Sequence, residues 1–421
     1  MKIPTVAVAI LLALTSTAMA QDAIVEGPGY ELSEGTVLHP SVGAETGAVS
    51  NVFREQADAV ASPLLRLLAD LDIASRPPER LGQAEDASGS TATPPNLEFR
   101  AGVRFTYTEY LTGNAAARAQ RDLGINADLN VVGYPQGTTR FTVQNSFVRD
   151  VRPRNFESRG SLDRDINHLT LKLGVHPRGR SISGSLRYEN TIDIFESDGS
   201  QFANRLQHLA GVRAEWRFLP ITLFSLDTSF GFYGGLGADA EAFKVSSTPL
   251  RIVLGVATAL TERTTIRGTV GFAKGFYSAG ADYTTAVGSL AFGYRYSPVG
   301  RVVVSYAHEL KDSINANFYR DHEFRITVDQ QIARVLLQGV VEARLRGYRG
   351  VPMSLGGGDI RDDLLFSAGL DGHFVMRDWL AITGHYRTVI DSTEFRYTAI
   401  DVVDDPSYVR HEVMAGARAA F

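Results

Sequence analysis

The chain has 421 residues, of which 44% are hydrophobic, 10% aromatic and 21% charged, and 42 Lys and Arg against 47 Asp and Glu give a net charge of −5. It contains no cysteine, which excludes a disulfide framework, a thiolate metal centre, a cysteine nucleophile and a lipidated cysteine. The slightly acidic balance offers no basic footprint for nucleic acid.

Residues 1–20 combine Lys2, an apolar run from Val6 to Leu14 and the small-residue pattern Ala18-Met19-Ala20, the three parts of a secretory signal peptide. Its apolar run is shorter than the ~20 residues a spanning helix needs, and no later stretch reaches that length. The mature chain is expected to begin at Gln21, with 21–34 as a short periplasmic segment and 35–421 as one unit. Within Thr36 to Ala48, Leu38, Val42 and Ala44 alternate with His39, Ser41, Gly43 and Glu45, as in a strand. Ser62 to Ala74 carries leucines at helical spacing. Read as a strand, it places Arg66, Asp70 and Asp72 on one face, and strand is the preferred reading. Residues 75–96 are rich in Pro, Ser and Gly and are expected to form a flexible segment.

From residue 97 onward a period of two dominates. Leu97, Phe99, Ala101, Val103, Phe105 and Tyr107 alternate with charged, small or polar residues, and the same pattern recurs at 168–175, 182–188, 323–329 and 409–421. Each such segment has one apolar and one polar face. Connections alternate between short and long. Short ones are Tyr134-Pro135-Gln136-Gly137, His176-Pro177-Arg178-Gly179, Phe218-Leu219-Pro220, Thr261-Glu262-Arg263, Ser297-Pro298-Val299-Gly300, Gln331-Ile332-Ala333-Arg334 and Met376-Arg377-Asp378. Long polar segments fall around 150–163, 193–204, 233–246, 348–361 and 391–407. Outer-membrane barrels sort their connections in this way, with short periplasmic turns and long extracellular loops. The expected fold is therefore all-β, a transmembrane antiparallel outer-membrane β-barrel of about 18 strands (range about 16–18), with both termini in the periplasm.

In such a barrel the polar face lines the lumen. The basic residues placed there are Arg100, Arg104, Lys172, Arg187, Arg213, Arg217, Arg267, Arg325, Arg344, Arg346, Arg387, Arg410 and Arg418. The acidic ones are Glu98, Glu189, Glu215, Asp227, Glu323, Asp329, Glu342, Asp371 and Glu412. Two readings compete: ion pairs that brace the wall, and an Arg-rich pore favouring anionic solutes. Tyr107, Tyr110, Phe230, Phe232, Tyr233, Phe276, Tyr277, Tyr294, Tyr296 and Trp379 cluster near strand ends, where interface aromatics belong. The terminal Phe421 resembles the signal by which outer-membrane barrels are recognised for assembly.

No catalytic residue, metal site or cofactor is assigned. The acidic run Gly356 to Asp363 lacks calcium-loop spacing and is read, with Asp401, Asp404 and Asp405, as solvated loop. Phe230 to Ala238 is Gly-rich but leads into no Gly-Lys-Ser/Thr helix start, and is read as a flexible loop. Among the histidines, His322, His385 and His411 fall on strands and His168 and His373 face the lumen. None of them sits in a nucleophile pattern.

Ser50-Asn51-Val52-Phe53, Tyr296-Ser297-Pro298, and Asp312-Ser313 through Asn317-Phe318-Tyr319-Arg320 resemble the β-barrel porin family of the second type, with Arg54 where relatives carry an aromatic. The resemblance covers most of the mature chain and implies an eighteen-stranded porin for exopolysaccharide secretion of myxobacterial type, working beside a periplasmic polysaccharide export protein. Expected partners are outer-membrane lipid and lipopolysaccharide, the barrel-assembly machinery, and polysaccharide or small hydrophilic solutes. A non-conducting structural or adhesion barrel, a general diffusion porin and a barrel enzyme are the alternatives, with the enzyme disfavoured. The first expectation to check is processing: intact mass of the protein from the envelope fraction should correspond to a chain starting at Gln21, whereas retention of residues 1–20 would contradict a cleaved signal.

Overall fold

A computed structural model describes residues 27–33, 35–75, 96–150, 163–177, 179, 181–196, 201–243, 245–280, 282–313, 316–351, 360–399 and 402–421. The expected signal peptide, its cleavage site and most of segment 75–96 lie outside the described residues. The strands are β1 (Tyr30–Ser33), β2 (Thr36–Val49), β3 (Ser62–Ala74), β4 (Leu97–Tyr110), β5 (Asp122–Gly133), β6 (Thr139–Asp150) and β7 (Arg164–Val175). There follow β8 (Ile182–Phe195), β9 (Arg205–Leu219), β10 (Thr222–Gly235), β11 (Ser247–Ala259), β12 (Thr264–Tyr277), β13 (Tyr283–Ser297) and β14 (Gly300–Asp312). The chain ends with β15 (Phe318–Ile332), β16 (Val335–Arg349), β17 (Ile360–Arg377), β18 (Leu380–Thr393), a loop hairpin of β19 (Tyr397–Ala399) and β20 (Val402–Asp404), and β21 (Tyr408–Ala420).

Consecutive strands from β2 to β18 pair antiparallel, β18 pairs β21, and β21 pairs β2, which closes eighteen strands into a barrel. Ser62–Ala74 is a strand, as the shared face of its charges implies. β21 reaches only to Ser41 on β2, and β1 pairs the remainder of the same edge at Leu38 and Val37. Part of the segment expected as a short periplasmic stretch, Tyr30–Ser33, is thus tied to the wall. Closure leaves no edge strand, which is the condition for a sheet in hydrocarbon, where an unpaired backbone group costs several kcal/mol.

The apolar partners of the alternation face outward. Val270, for example, is 63% exposed, and Leu254, Leu290, Phe292, Val304, Phe324 and Val413 are likewise exposed. Such a band suits lipid rather than water. At the short-turn end Trp216, Phe218 and Phe224 pack edge to face and tilted with centroids 5.0–6.0 Å apart, and Tyr294, Tyr296 and Trp379 are exposed there. Tyr110, Tyr233 and Tyr277 differ from the sequence expectation. They occupy inward positions, and Tyr110 and Tyr233 are fully buried.

All seven short connections are strand-to-strand turns at one end, and both termini lie at that end. Strict alternation fails at three places. Connection 75–96 is long yet lies at the short-turn end, while 278–282 and 313–317 are short yet lie at the other end. Composition marks a segment as a connection but does not say which end of a barrel it serves. Phe230 to Gly235, expected as loop, continues β10, and Asp363 belongs to β17; strand pairing extends past the glycines and charges that suggested turns.

Backbones approach closely at the closing seam, as they also do at Gly231 and Gly271 within the wall. A Cβ on Gly47 would lie 1.9 Å from the Val413 carbonyl oxygen, and one on Gly416 2.1 Å from that of Ala44. Gly416→Ala and Gly47→Ala should each lower stability by about 1–3 kcal/mol through overpacking, read as a lower urea midpoint for the compact electrophoretic form. Gly339→Ala, with no heavy atom within 4 Å of its Cβ position, should leave that midpoint unchanged.

Candidate functional site: the lumenal face

Because directly opposed residues of paired strands share a face, the register assigns every side chain to lipid or lumen. Arg100, Arg104, Lys172, Arg187, Arg213, Arg217, Arg267, Arg325, Arg344, Arg346, Arg387 and Arg410 all lie on the inner face, with Glu215, Glu323 and Glu342. They do not form one basic surface. At least eight of the twelve basic residues are ion-paired to carboxylates on the same or the adjacent strand, which favours bracing over an unneutralised arginine pore. Lys172 and Arg217 have no ion-pair partner among the described residues.

Three networks carry most of the charge. At the seam, Glu45 is 2% exposed and meets Arg66 at 3.6 Å, Arg418 at 3.3 Å and the Thr383 hydroxyl at 3.4 Å. Arg66 also reaches Glu412 at 2.9 Å, which Arg410 meets at 2.8 Å. Four strands, β2, β3, β18 and β21, are thereby cross-linked where the first strand meets the last. On β15 to β17, the Arg346 guanidinium donates to both Asp321 oxygens at 2.8 Å and lies 4.0 Å from the Tyr319 ring centroid. Below it, Arg344 bridges Glu323 and Glu342 at 2.7 Å each, and Arg325 binds the same two carboxylates. On β8 to β10, Asp227 accepts from Arg187 at 3.2 Å and faces Arg213 at 3.7 Å.

Between the charged arcs, β11 to β13 present Gly255, Ala257, Thr269, Ala273, Ser289 and Ala291, with Arg267 among them. Several network members escaped the sequence reading: Asp321, Arg361, Asp363, Arg164, Asp193, Arg205 and Arg251 all face inward. Extending the period-two rule to the strand ends beside the long loops identifies each of them. Asp363, read as solvated loop, is in fact 4% exposed and paired with Arg361 at 2.7 Å. Asp405, read the same way, pairs with Arg396 at 2.9 Å. Inward His168 bonds the hydroxyls of Thr191 and Thr170 at 2.8 and 3.2 Å, as a hydrogen-bonded wall residue does.

Two segments fold inward at the long-loop end of the barrel. After β2, the buried Asn51 side chain accepts the Glu55 N–H at 3.1 Å and donates to the carbonyls of Glu55 at 2.7 Å and Val409 at 3.1 Å. Arg54 adopts φ 59° in this turn, and its burial pushes the guanidinium pKa down. Val52, Phe53 and Val60 then pack on the inward residues Val49, Leu64, Tyr110 and Met414.

Six strands away round the ring, the β14–β15 hairpin leaves the wall and leans toward β11 to β13. Pairing of β13 with β14 stops at Gly288 and His308, while β14 and β15 stay paired to Asp312 and Phe318. Leu310 and Phe318 turn onto the inner-face residues Val253, Ala273, Tyr283 and Val287. The Tyr277 hydroxyl ties the tip at Asp312 and at the Asn317 carbonyl, and the Asn317 side chain donates to Ala279 O at 3.1 Å. Strands β3 and β12 oppose each other in an eighteen-stranded ring, so the mouth is narrowed from opposite sides.

No family model matches the chain, and no curated protein matches it. Among solved structures, it is similar to OccK2 (OpdF) of Pseudomonas aeruginosa, 12% identical over 91% of this chain and 98% of that one with a TM-score of 0.44. It is likewise similar to OccK11 (OpdR) of the same organism, 12% identical over 93% and 100% with a TM-score of 0.44. The siderophore receptor PirA of Acinetobacter baumannii is 9% identical over 93% and 81%, also with a TM-score of 0.44.

Removing one member of a buried pair strands its partners at a cost of about 3–5 kcal/mol, reduced where lumenal water can rehydrate them. Glu45→Gln should therefore destabilise the barrel by about 2–4 kcal/mol in urea titrations. Glu309→Gln, at a half-exposed pair 3.6 Å from Arg251, should cost less than about 1 kcal/mol.

Proposed function

We propose that the protein is an outer-membrane porin that gives hydrophilic molecules an aqueous path, with export of an exopolysaccharide as its specific task. The observation that carries this reading is the lumenal wall. Guanidinium groups neutralised in pairs alternate with Ser, Thr, Gly and Ala, so the surface offers many weak hydrogen bonds and few unneutralised charges. Passage requires contacts favourable enough to admit a solute and weak enough to release it. Sugar hydroxyls can exchange along such a wall without a covalent step, and Lys172 and Arg217 would add attraction for acidic sugars. Two of the segments that carry the resemblance to polysaccharide-secretion porins, 50–53 and 312–320, are those that fold into the mouth. A periplasmic export protein would meet the short-turn end.

The same inward folds favour a second reading, a gated or non-conducting barrel, because they pack apolar side chains against the inner wall from two sides. Planar-bilayer recording separates the two. The porin reading expects stepwise conductance that acidic oligosaccharides reduce, and it expects Val52→Ser with Phe53→Ser to raise conductance at least about twofold by releasing the first loop. A correctly folded barrel that is silent both as the natural chain and as this variant would contradict it.

A further inference from the structure

The nine histidines divide by face in a way the lumen does not explain. His208, His308, His322 and His411 point outward, and each lies within four residues of the extracellular end of its strand. Three of them repeat one geometry. The hydroxyls of Tyr188, Tyr306 and Tyr386 meet Nδ1 of His208, His322 and His411 at 2.8, 2.9 and 2.9 Å, with ring centroids 6.1–6.2 Å apart. A tyrosine O–H donating to Nδ1 leaves the proton on Nε2, so each pair presents a donor at the level where hydrocarbon gives way to headgroups.

One of the three pairs, Tyr306–His322, lies together with His308 on the outer surface of β14 and β15. His308 stacks on His322 at 4.2 Å. Beside them a groove of about 420 Å³ is lined by Arg320, His322, Leu345, Gly347, Asp362 and Leu364. It continues over Tyr306 and Phe324. The missing side chain of Gly347 forms its floor: a Cβ there would lie 2.7 Å from Asp362 Oδ1, 3.3 Å from Arg320 Nε and 3.4 Å from Arg349 Nη1. Arg349 neutralises Asp362 at 3.0 Å, whereas Arg320 has no acidic partner among the described residues. The register orders the groove from rim to midplane: Arg320 with Gly347 and Asp362, then His322 with Leu345 and Leu364, then Tyr306 with Phe324. Cation and donors lie above, aliphatic and aromatic surface below.

We infer that this groove binds the phosphorylated glycolipid of the outer leaflet, with its phosphate on Arg320 and the Nε2–H of His322 and an acyl chain along Leu345 and Phe324. A planar guanidinium suits phosphate. The rim also holds Ser392, Glu394 and the Arg349-paired Asp362 carboxylate, which can accept hydrogen bonds from the ring hydroxyls of a sugar. That combination selects a phosphorylated sugar over a phospholipid. The inference rests on the outer-membrane placement proposed above, but not on conduction.

The test is native mass spectrometry of the delipidated full chain titrated with hexa-acylated bis-phosphorylated lipid A, with the same lipid dephosphorylated, and with dioleoylphosphatidylglycerol. Expected are one tightly bound lipid A, at least tenfold weaker binding on dephosphorylation and in Arg320→Gln, and no displacement by phosphatidylglycerol. Arg320→Gln should keep the heat-modifiable barrel form and the conductance of the unaltered protein, since the side chain faces lipid. Equal binding of dephosphorylated lipid A, an unaffected Arg320→Gln, or equal binding of phosphatidylglycerol would each overturn the inference. If Arg320→Gln does not fold, the phosphate dependence of the unaltered protein decides alone. A protein that fractionates with the outer membrane yet binds no lipid A would refute only this site, whereas one found in another compartment would refute the placement as well.

Discussion

The pairing of β21 with β2 is the contact on which everything else rests. In hydrocarbon no water can satisfy a free N–H or C=O, so an open sheet of this size cannot stand in a membrane and a closed one can. Where the last strand meets the first, Gly47 and Gly416 leave the space for a close backbone approach, as Gly231 and Gly271 do elsewhere in the wall. The seam is also where Glu45, Arg66, Arg410, Glu412 and Arg418 concentrate their ion pairs. β1 completes the β2 edge where the last strand stops short.

Closing the sheet also decides the fate of the charges. With one face given to lipid, the polar residues of every strand project into one enclosed space. Isolated charges there would bear a desolvation penalty of several kcal/mol, which close opposite charges offset. This explains why the lumen is built from alternating arginines and carboxylates rather than from a single sign, and why residues as buried as Arg346 and Asp321 occur as a pair. What distinguishes the arcs is their residual chemistry: neutralised on β15 to β17 and at the seam, small and weakly polar on β11 to β13.

Much of this was legible in the sequence because a strand's period is two. Leu97 to Tyr107 or Val409 to Phe421 announces which side chains share a face, and Pro298 or Pro220 announces where a turn falls. The inward set from Arg100 to Arg410 therefore follows from the alternation alone. That alternation carries no depth or tertiary information, however. It could not tell that Tyr110, Tyr233 and Tyr277 line the mouth and do not gird the membrane, nor that Leu310 and Phe318 would peel from the wall and pack inward. Asp363 was misplaced because a glycine-rich neighbourhood suggested loop, while its bond to Arg361 depends on a strand partner that local composition does not reveal.

The most direct test of a lipid-facing exterior around a wet lumen uses the absence of native cysteine. Single cysteines introduced at successive positions from 365 to 373 of β17 and reconstituted in vesicles can be reacted with a membrane-impermeant maleimide and probed with a lipid-confined quencher. Labelling should alternate with a period of two, strong at 367, 369 and 371 and weak at 366, 368 and 370, with quenching in the opposite phase. Uniformly weak labelling at both sets would mean a dry or plugged interior and would contradict an aqueous path through the barrel.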